Sequence, residues 1–165
     1  MITMRTEEPI IKKISDLKVI GKKFEGITTN DLSKLIGPAM GQIFGEISKS
    51  ENARSGVHPA GPPMYIDLNT EFDPENMQFE IAVPVSKEPK IQGDLEYHII
   101  TGGKVVSMMC YGPYSDLCKD IYGQVFAFAK KRGLKIVGPL RELYHNNPQE
   151  VAPEELQTEL QLPVK

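Results

Sequence analysis

Tryptophan is absent from this chain of 165 residues, and cysteine and histidine are scarce, with two and three copies. Without tryptophan, any aromatic wall of a binding site has to be built from tyrosine or phenylalanine. Two cysteines are too few for a secreted disulfide scaffold. Cys110 and Cys118 therefore read as free thiols that pack as small apolar side chains. His58, His98 and His145 stand apart from one another with no metal-ligand spacing, so no metal and no other cofactor is expected. None of the three histidines is assigned a catalytic role.

Long apolar runs are missing too. No stretch approaches the ~18 residues of a membrane span, and the opening MITMRTEEP is too polar for a secretory signal. A cytoplasmic protein that does not insert in membranes is the expectation. Excess positive charge is lacking: the net charge is −3 and the pI about 5.7. That balance speaks against direct nucleic-acid binding, which calls for a basic face. The run Lys130–Arg132 reads as a helix end. No glycine-rich phosphate loop, GxSxG or HExxH occurs.

What is present is a repeat. QFEIAVPV at 78–85 returns as QTELQLPV at 157–164, 79 positions later. Both alternate with period two, the mark of a strand with one buried face. Phe79, Ile81 and Val83 share a face in one, and Thr158, Leu160 and Leu162 in the other. Gln157, Glu159 and Gln161 fall on the opposite side. Each ends in proline, which cannot donate to a ladder and belongs at a strand end or sheet edge.

Two helices precede these strands. Leu32, Leu35, Ile36, Ala39, Met40, Ile43, Phe44 and Ile47 recur at helical spacing. Thr29 or Asn30 can cap this helix, and Pro38 should bend it or mark the start of its regular part. A second helix is expected after Ser115, with the stripe Cys118, Ile121, Tyr122, Val125 and Ala129 and a left-handed stop at Gly133. GQIF at 41–44 and GQVF at 123–126 echo one another across the two helices.

The unit is thus strand, helix, strand, strand, written twice. The predicted fold is α+β: a tandem pseudo-two-fold repeat forming an antiparallel sheet, with two helices on one face and a central cleft. Residues 1–9 read as a flexible arm, 10–85 as the first repeat, 86–94 as a linker and 95–165 as the second repeat, all one domain. A groove where duplicated halves meet is where a ligand is expected.

Alternation in LRELY puts Leu140, Glu142 and Tyr144 on one face, and Arg141, Leu143 and His145 on the other. Aligning Asn69 with Asn146 pairs Tyr65 with Glu142 and Asp67 with Tyr144. If Glu142 faces the groove, a carboxylate beside aromatic rings can accept a ligand's cationic centre, with cation–π attraction of roughly 0.5–2 kcal/mol per ring. Desolvation could instead fit it for general acid–base work. Glu142 on the solvent face and Tyr65 and Tyr144 as ordinary strand packing are the plainer readings. Tyr111 and Tyr114 flank Gly112-Pro113 at the entrance to the second helix, as site walls or as a turn plug. Met40 and Phe44 would touch a ligand only from the edge of the first helix's stripe. Met108 and Met109 read as core.

The segments YGPYSDL (111–117), RELYHNNPQEVAPEELQTELQLPV (141–164) and GPPMYID (61–67) resemble the GyrI-like small-molecule-binding domain, also called the bacterial transcription-activator effector-binding domain. The resemblance covers residues 10–165. It implies binding of lipophilic, often cationic, aromatic compounds in a central cleft. It also implies that Glu142 is the central acidic residue, Tyr144 its companion, and Tyr65 and Tyr111 cleft aromatics. Some members of the family hydrolyse strained, electrophilic aromatic compounds with the same glutamate, which would make Glu142 and Tyr144 catalytic. Others are fused to DNA-binding regions, for which residues 1–10 leave no room here. The leading expectation is a free-standing small-molecule binding module. A small hydrolase comes next, and a protein-interaction module such as a gyrase inhibitor after that.

Overall fold

Antiparallel pairing gathers the strands into two compact units, Asp16–Thr101 and the N-terminal segment through Ser15 together with Gly102–Lys165. The structure is a computed structural model and describes residues 4–114 and 119–165.

In chain order the N-terminal segment supplies β1 (Arg5–Thr6) and β2 (Ile10–Ile14). The first unit holds β3 (Leu17–Ile27), α1 (Thr29–Ile47), α2 (Ser50–Arg54), β4 (Met64–Asp67), β5 (Met77–Pro84) and β6 (Glu96–Ile100). The second unit continues with β7 (Gly103–Tyr111), α3 (Lys119–Lys131), β8 (Arg141–Tyr144) and β9 (Gln157–Pro163). The class is mixed α+β with antiparallel strands. No helix among the described residues is long and apolar enough to cross a membrane.

Within the first unit β3 lies between β5 and β6, and β4 pairs on the other side of β5. Within the second unit β7 takes β1 and β2 along one edge and β9 along the other, and β8 follows β9. The strand at 96–100, read from the sequence as part of the second repeat, thus pairs with β3 of the first unit. Residues 10–14, read as part of the first repeat, pair with β7 of the second unit.

Within the stretch expected as a loose arm, Arg5 and Thr6 form a short strand and pair with Tyr111 and Cys110. A two-residue strand carries no periodicity for sequence to reveal. Thr28 occupies the N-cap of α1 in place of Thr29 or Asn30; its hydroxyl bonds to the Asp31 carboxylate at 3.1 Å rather than capping a backbone N–H. α1 begins well before Pro38, which sits inside it. Pro38 therefore does not mark the start, and the helix forgoes one backbone bond there. The predicted cap Ser115 and the stripe member Cys118 lie outside the described residues. Gly133 does take the left-handed conformation, with φ of 67°, and so closes α3.

Both prolines end their strands as expected, Pro84 in β5 and Pro163 in β9. The alignment of the short strands also holds in the pairing. Asn69 accepts from the Gln78 N–H at 2.7 Å, and Asn146 accepts from the Gln157 N–H at 2.9 Å. Tyr65 then sits opposite Ile81 as Glu142 sits opposite Leu160, and Asp67 opposite Phe79 as Tyr144 opposite Thr158. Under α3 the core of the second unit comprises Val106, Met108, Cys110, Val125, Ala129, Leu140, Leu160, Leu162 and Val164. Each large aliphatic side chain buried this way contributes about 1.5–3 kcal/mol.

Candidate functional site

β8 is only four residues long, yet its alternation decides the site. Leu140 joins the core beneath α3. Two residues on, Glu142 faces the same way and is 8% exposed. A carboxylate this deep needs hydrogen-bond donors. The Tyr122 hydroxyl, from α3, donates to its Oε2. The Tyr144 hydroxyl, one alternation further along β8, donates to its Oε1 at 2.9 Å. Tyr114 stands edge-on to the Tyr144 ring, centroids 5.2 Å apart and planes at 62°, a favoured aromatic geometry.

Burial, and then the charge of Glu142, raise the pKa of the Tyr114 phenol. The same two causes push the Cys110 thiol up to about 12. Glu142 is thus a negative charge felt across a partly apolar site walled by three phenol rings. Such a group can accept a cation, and the rings can receive it face-on.

The structure brings together Glu142, Tyr144 and Tyr114. Tyr111 it places elsewhere. Cys110 faces α3, so the next residue along β7 points to the opposite face. There the Tyr111 hydroxyl donates to Glu7 at 2.8 Å, and the Arg5 guanidinium lies over its ring at 4.6 Å. Tyr65, Met40 and Phe44 belong to the first unit. Tyr65 is buried and stacks on Phe79 at 5.1 Å. Met40 is half-buried on α1, and Phe44 is 37% exposed.

Tyr122 is the residue that sequence reading passed over. It sits in the apolar stripe of α3 and reads as core; its one signal is a polar tip among aliphatic neighbours.

The far face of the same strands also corrects an expectation. Alternation puts Gln157, Glu159 and Gln161 opposite the buried face of a strand expected to have only one. Glu159 and Gln161 are each 3% exposed. Glu159 accepts from Lys12 at 2.6 Å, Ser107 at 2.6 Å, His145 at 2.8 Å and Gln161 at 2.8 Å. Arg141 joins through Gln161 at 3.0 Å. Burial would raise the Glu159 carboxyl, but the bonds from His145, Gln161, Lys12 and Ser107 outweigh it and hold it far below the usual carboxylate range. In the first unit Glu80 is 2% exposed and bonds to His98 at 2.7 Å.

Comparison with known proteins gives the class of the chain, a small-molecule binding domain. The chain belongs to the GyrI-like family: the model of the GyrI-like small molecule binding domain matches residues 7–165. No curated protein matches the chain.

Among solved structures, the C-terminal domain of EcmrR is similar at 21% identity with a TM-score of 0.82, over 96% of this chain and 97% of that one. EcmrR in its DNA complex aligns at 22% identity and TM-score 0.79 over all of this chain, which spans 59% of that longer one. A hydrolase encoded by lin2189 from Listeria innocua aligns at 14% identity and TM-score 0.67, over 96% and 92% of the two chains. SAV2435, in a structure bound to tetraphenylphosphonium, aligns at 16% identity and TM-score 0.58, over 96% and 94%. At these identities the likeness is one of fold.

Proposed function

We propose that this chain binds lipophilic cations with aromatic groups, and that Glu142 is the anionic centre of the site with Tyr122, Tyr144 and Tyr114 as its walls. One observation carries the reading: a carboxylate that is 8% exposed is held by two phenol hydroxyls, from Tyr122 and Tyr144. Phenols are neutral donors that can swing aside, so a ligand cation can replace them at the carboxylate. At about 4 Å and an effective dielectric of about 20, a unit charge gains roughly 4 kcal/mol from a carboxylate, reduced by the desolvation of both groups. The structure of SAV2435 with a bound phosphonium cation supports the choice of ligand class.

Calorimetric titration with tetraphenylphosphonium tests this. Wild type should bind, and Glu142→Gln, which keeps shape and removes charge, should bind about 10- to 100-fold more weakly, or ~1.4–2.8 kcal/mol. Equal affinity in the two proteins refutes the reading.

The hydrolase reading draws on the bond from Tyr144 to Glu142 and on the Listeria neighbour. In it, Glu142 would activate water and Tyr144 would steady the substrate. Product formation from a strained electrophilic aromatic by wild type, abolished in Glu142→Gln, is its signature.

A further inference from the structure

Thr158 is fully buried, and its hydroxyl has no hydrogen-bond partner among the described residues. It lies in β9 directly across from Cys110 on one side and Tyr144 on the other. The next row along the same face is Met108, Leu160 and Glu142. The orphan hydroxyl is therefore one row from the site carboxylate, on the face that α3 covers.

The equivalent row of the first unit is filled differently. There Phe79 takes the place of Thr158, with Phe24 across from it where the second unit has Cys110. Those two rings stack at 4.9 Å. The second unit thus has two small side chains at positions that can carry phenylalanine, and one of them bears an unanswered polar group. Valine has the same shape and the same strand preference as threonine. It would leave no buried polar atom to satisfy.

We infer that the Thr158 hydroxyl is a specificity-determining group of the ligand site, taking a hydrogen-bonding heteroatom of the bound molecule. This rests on the reading of Glu142 as the anionic centre, and it narrows the ligand class. The molecule carries a cationic aromatic part for Glu142 and the phenols, and a hydroxyl, carbonyl or amine a few ångströms away for Thr158. In the free protein the hydroxyl is shut off from solvent, so its partner arrives with the displacement of the phenols that admits the ligand.

Two probes of equal charge separate the possibilities: tetraphenylphosphonium, which has no hydrogen-bonding atom, and (4-hydroxyphenyl)triphenylphosphonium, which has one. Wild type should favour the hydroxylated cation about three- to tenfold, the span of one neutral hydrogen bond. Thr158→Val should lose that preference, bind tetraphenylphosphonium as wild type does, and melt no lower than wild type. Glu142→Gln should weaken both cations together. If Thr158→Val keeps the preference, or wild type shows none, the assignment is overturned while the anionic centre stands. A lower melting temperature for Thr158→Val would overturn it too, by showing that the hydroxyl already has a partner. If neither cation binds wild type, both readings fall.

Discussion

The two units put one pattern of strand pairing to different uses. In the first, Phe79 is sandwiched between Phe24 at 4.9 Å and Tyr65 at 5.1 Å, and the face is filled with rings. In the second, the places of Phe24, Phe79 and Tyr65 are taken by Cys110, Thr158 and Glu142. One unit fills these positions with rings and the other with a thiol, a hydroxyl and a carboxylate. The far faces diverge as well. Glu80 and Glu159 occupy the same place in β5 and β9, opposite Lys23 and Met109. Across the neighbouring strands, His98 and Lys12 hold equivalent positions, opposite Val19 and Val105. Glu80 takes its bond from His98, whereas Glu159 is gripped by Lys12, Ser107, His145 and Gln161. The far-face carboxylate of the second unit sits behind the very strand, β8, that presents Glu142, since Arg141 and His145 tie that strand's other side into the same cluster. A similar sheet tolerates either filling, and the polar site comes with the more heavily cross-linked back.

That asymmetry can be broken directly. Glu159→Ala leaves a buried cluster of donors without its acceptor and should cost about 3–5 kcal/mol in chemical denaturation. Glu80→Ala should cost less, about 1–2 kcal/mol, because the His98 side chain is 34% exposed and can turn to water. Equal losses would mean that the extra donors around Glu159 add nothing.

Gly21 sharpens the comparison further. It matches Ser107 in register, opposite Ala82 as Ser107 is opposite Gln161. In the second unit that position donates to the glutamate. In the first it makes room for one: a Cβ on Gly21 would lie 1.9 Å from Glu80 Oε2. Gly21→Ala should therefore displace the carboxylate from His98 and cost about 1–3 kcal/mol. In a Glu80→Ala background the same change should be close to neutral. A double-mutant cycle with no coupling between the two positions would remove this account of the glycine.

Much of this was legible in the residues, because its signals are local. Period-two alternation with terminal proline marks β5 and β9, and the matching asparagines at 69 and 146 set Tyr65 against Glu142. The parity of LRELY puts Glu142 on one side with Leu140 and Tyr144, while leaving open whether that side is covered. Parity also separates Cys110 from Tyr111, but that Cys110 shares the face of Glu142 follows only from the pairing of both strands with β9. The buried far face was not legible. Alternation says which residues share a side but not what covers it, and a glutamate on the second side reads as solvated. The donors that hold Glu159 come from 12, 107, 145 and 161, positions no short window contains. Tyr122 escaped for the same reason, since a tyrosine in a helical stripe becomes a site residue only once β8 is packed beneath it.

The smallest expected effect is one of pH, and His98 and Glu159 should show it in opposite windows. The hydrogen bond to Glu80 raises the pKa of His98 above 6.5, against the opposing effect of burial and with Lys23 and Glu96 as lesser neighbours. A raised histidine binds its proton more tightly folded than unfolded, so its stabilisation is complete below pH 6.5 and fades as the pH climbs through the folded value. For a partly exposed pair this amounts to about 1 kcal/mol or less. Glu159 works the other way. Its lowered pKa gives stability that is full above 4.5 and is lost as acid protonates the folded carboxylate. Urea midpoints measured from pH 4 to pH 9 should decline gently on the alkaline side, and His98→Gln should flatten that decline while leaving the acid side unchanged. An alkaline slope that survives in His98→Gln would assign it to another group, and the pairing of His98 with Glu80 would then be a contact without linkage.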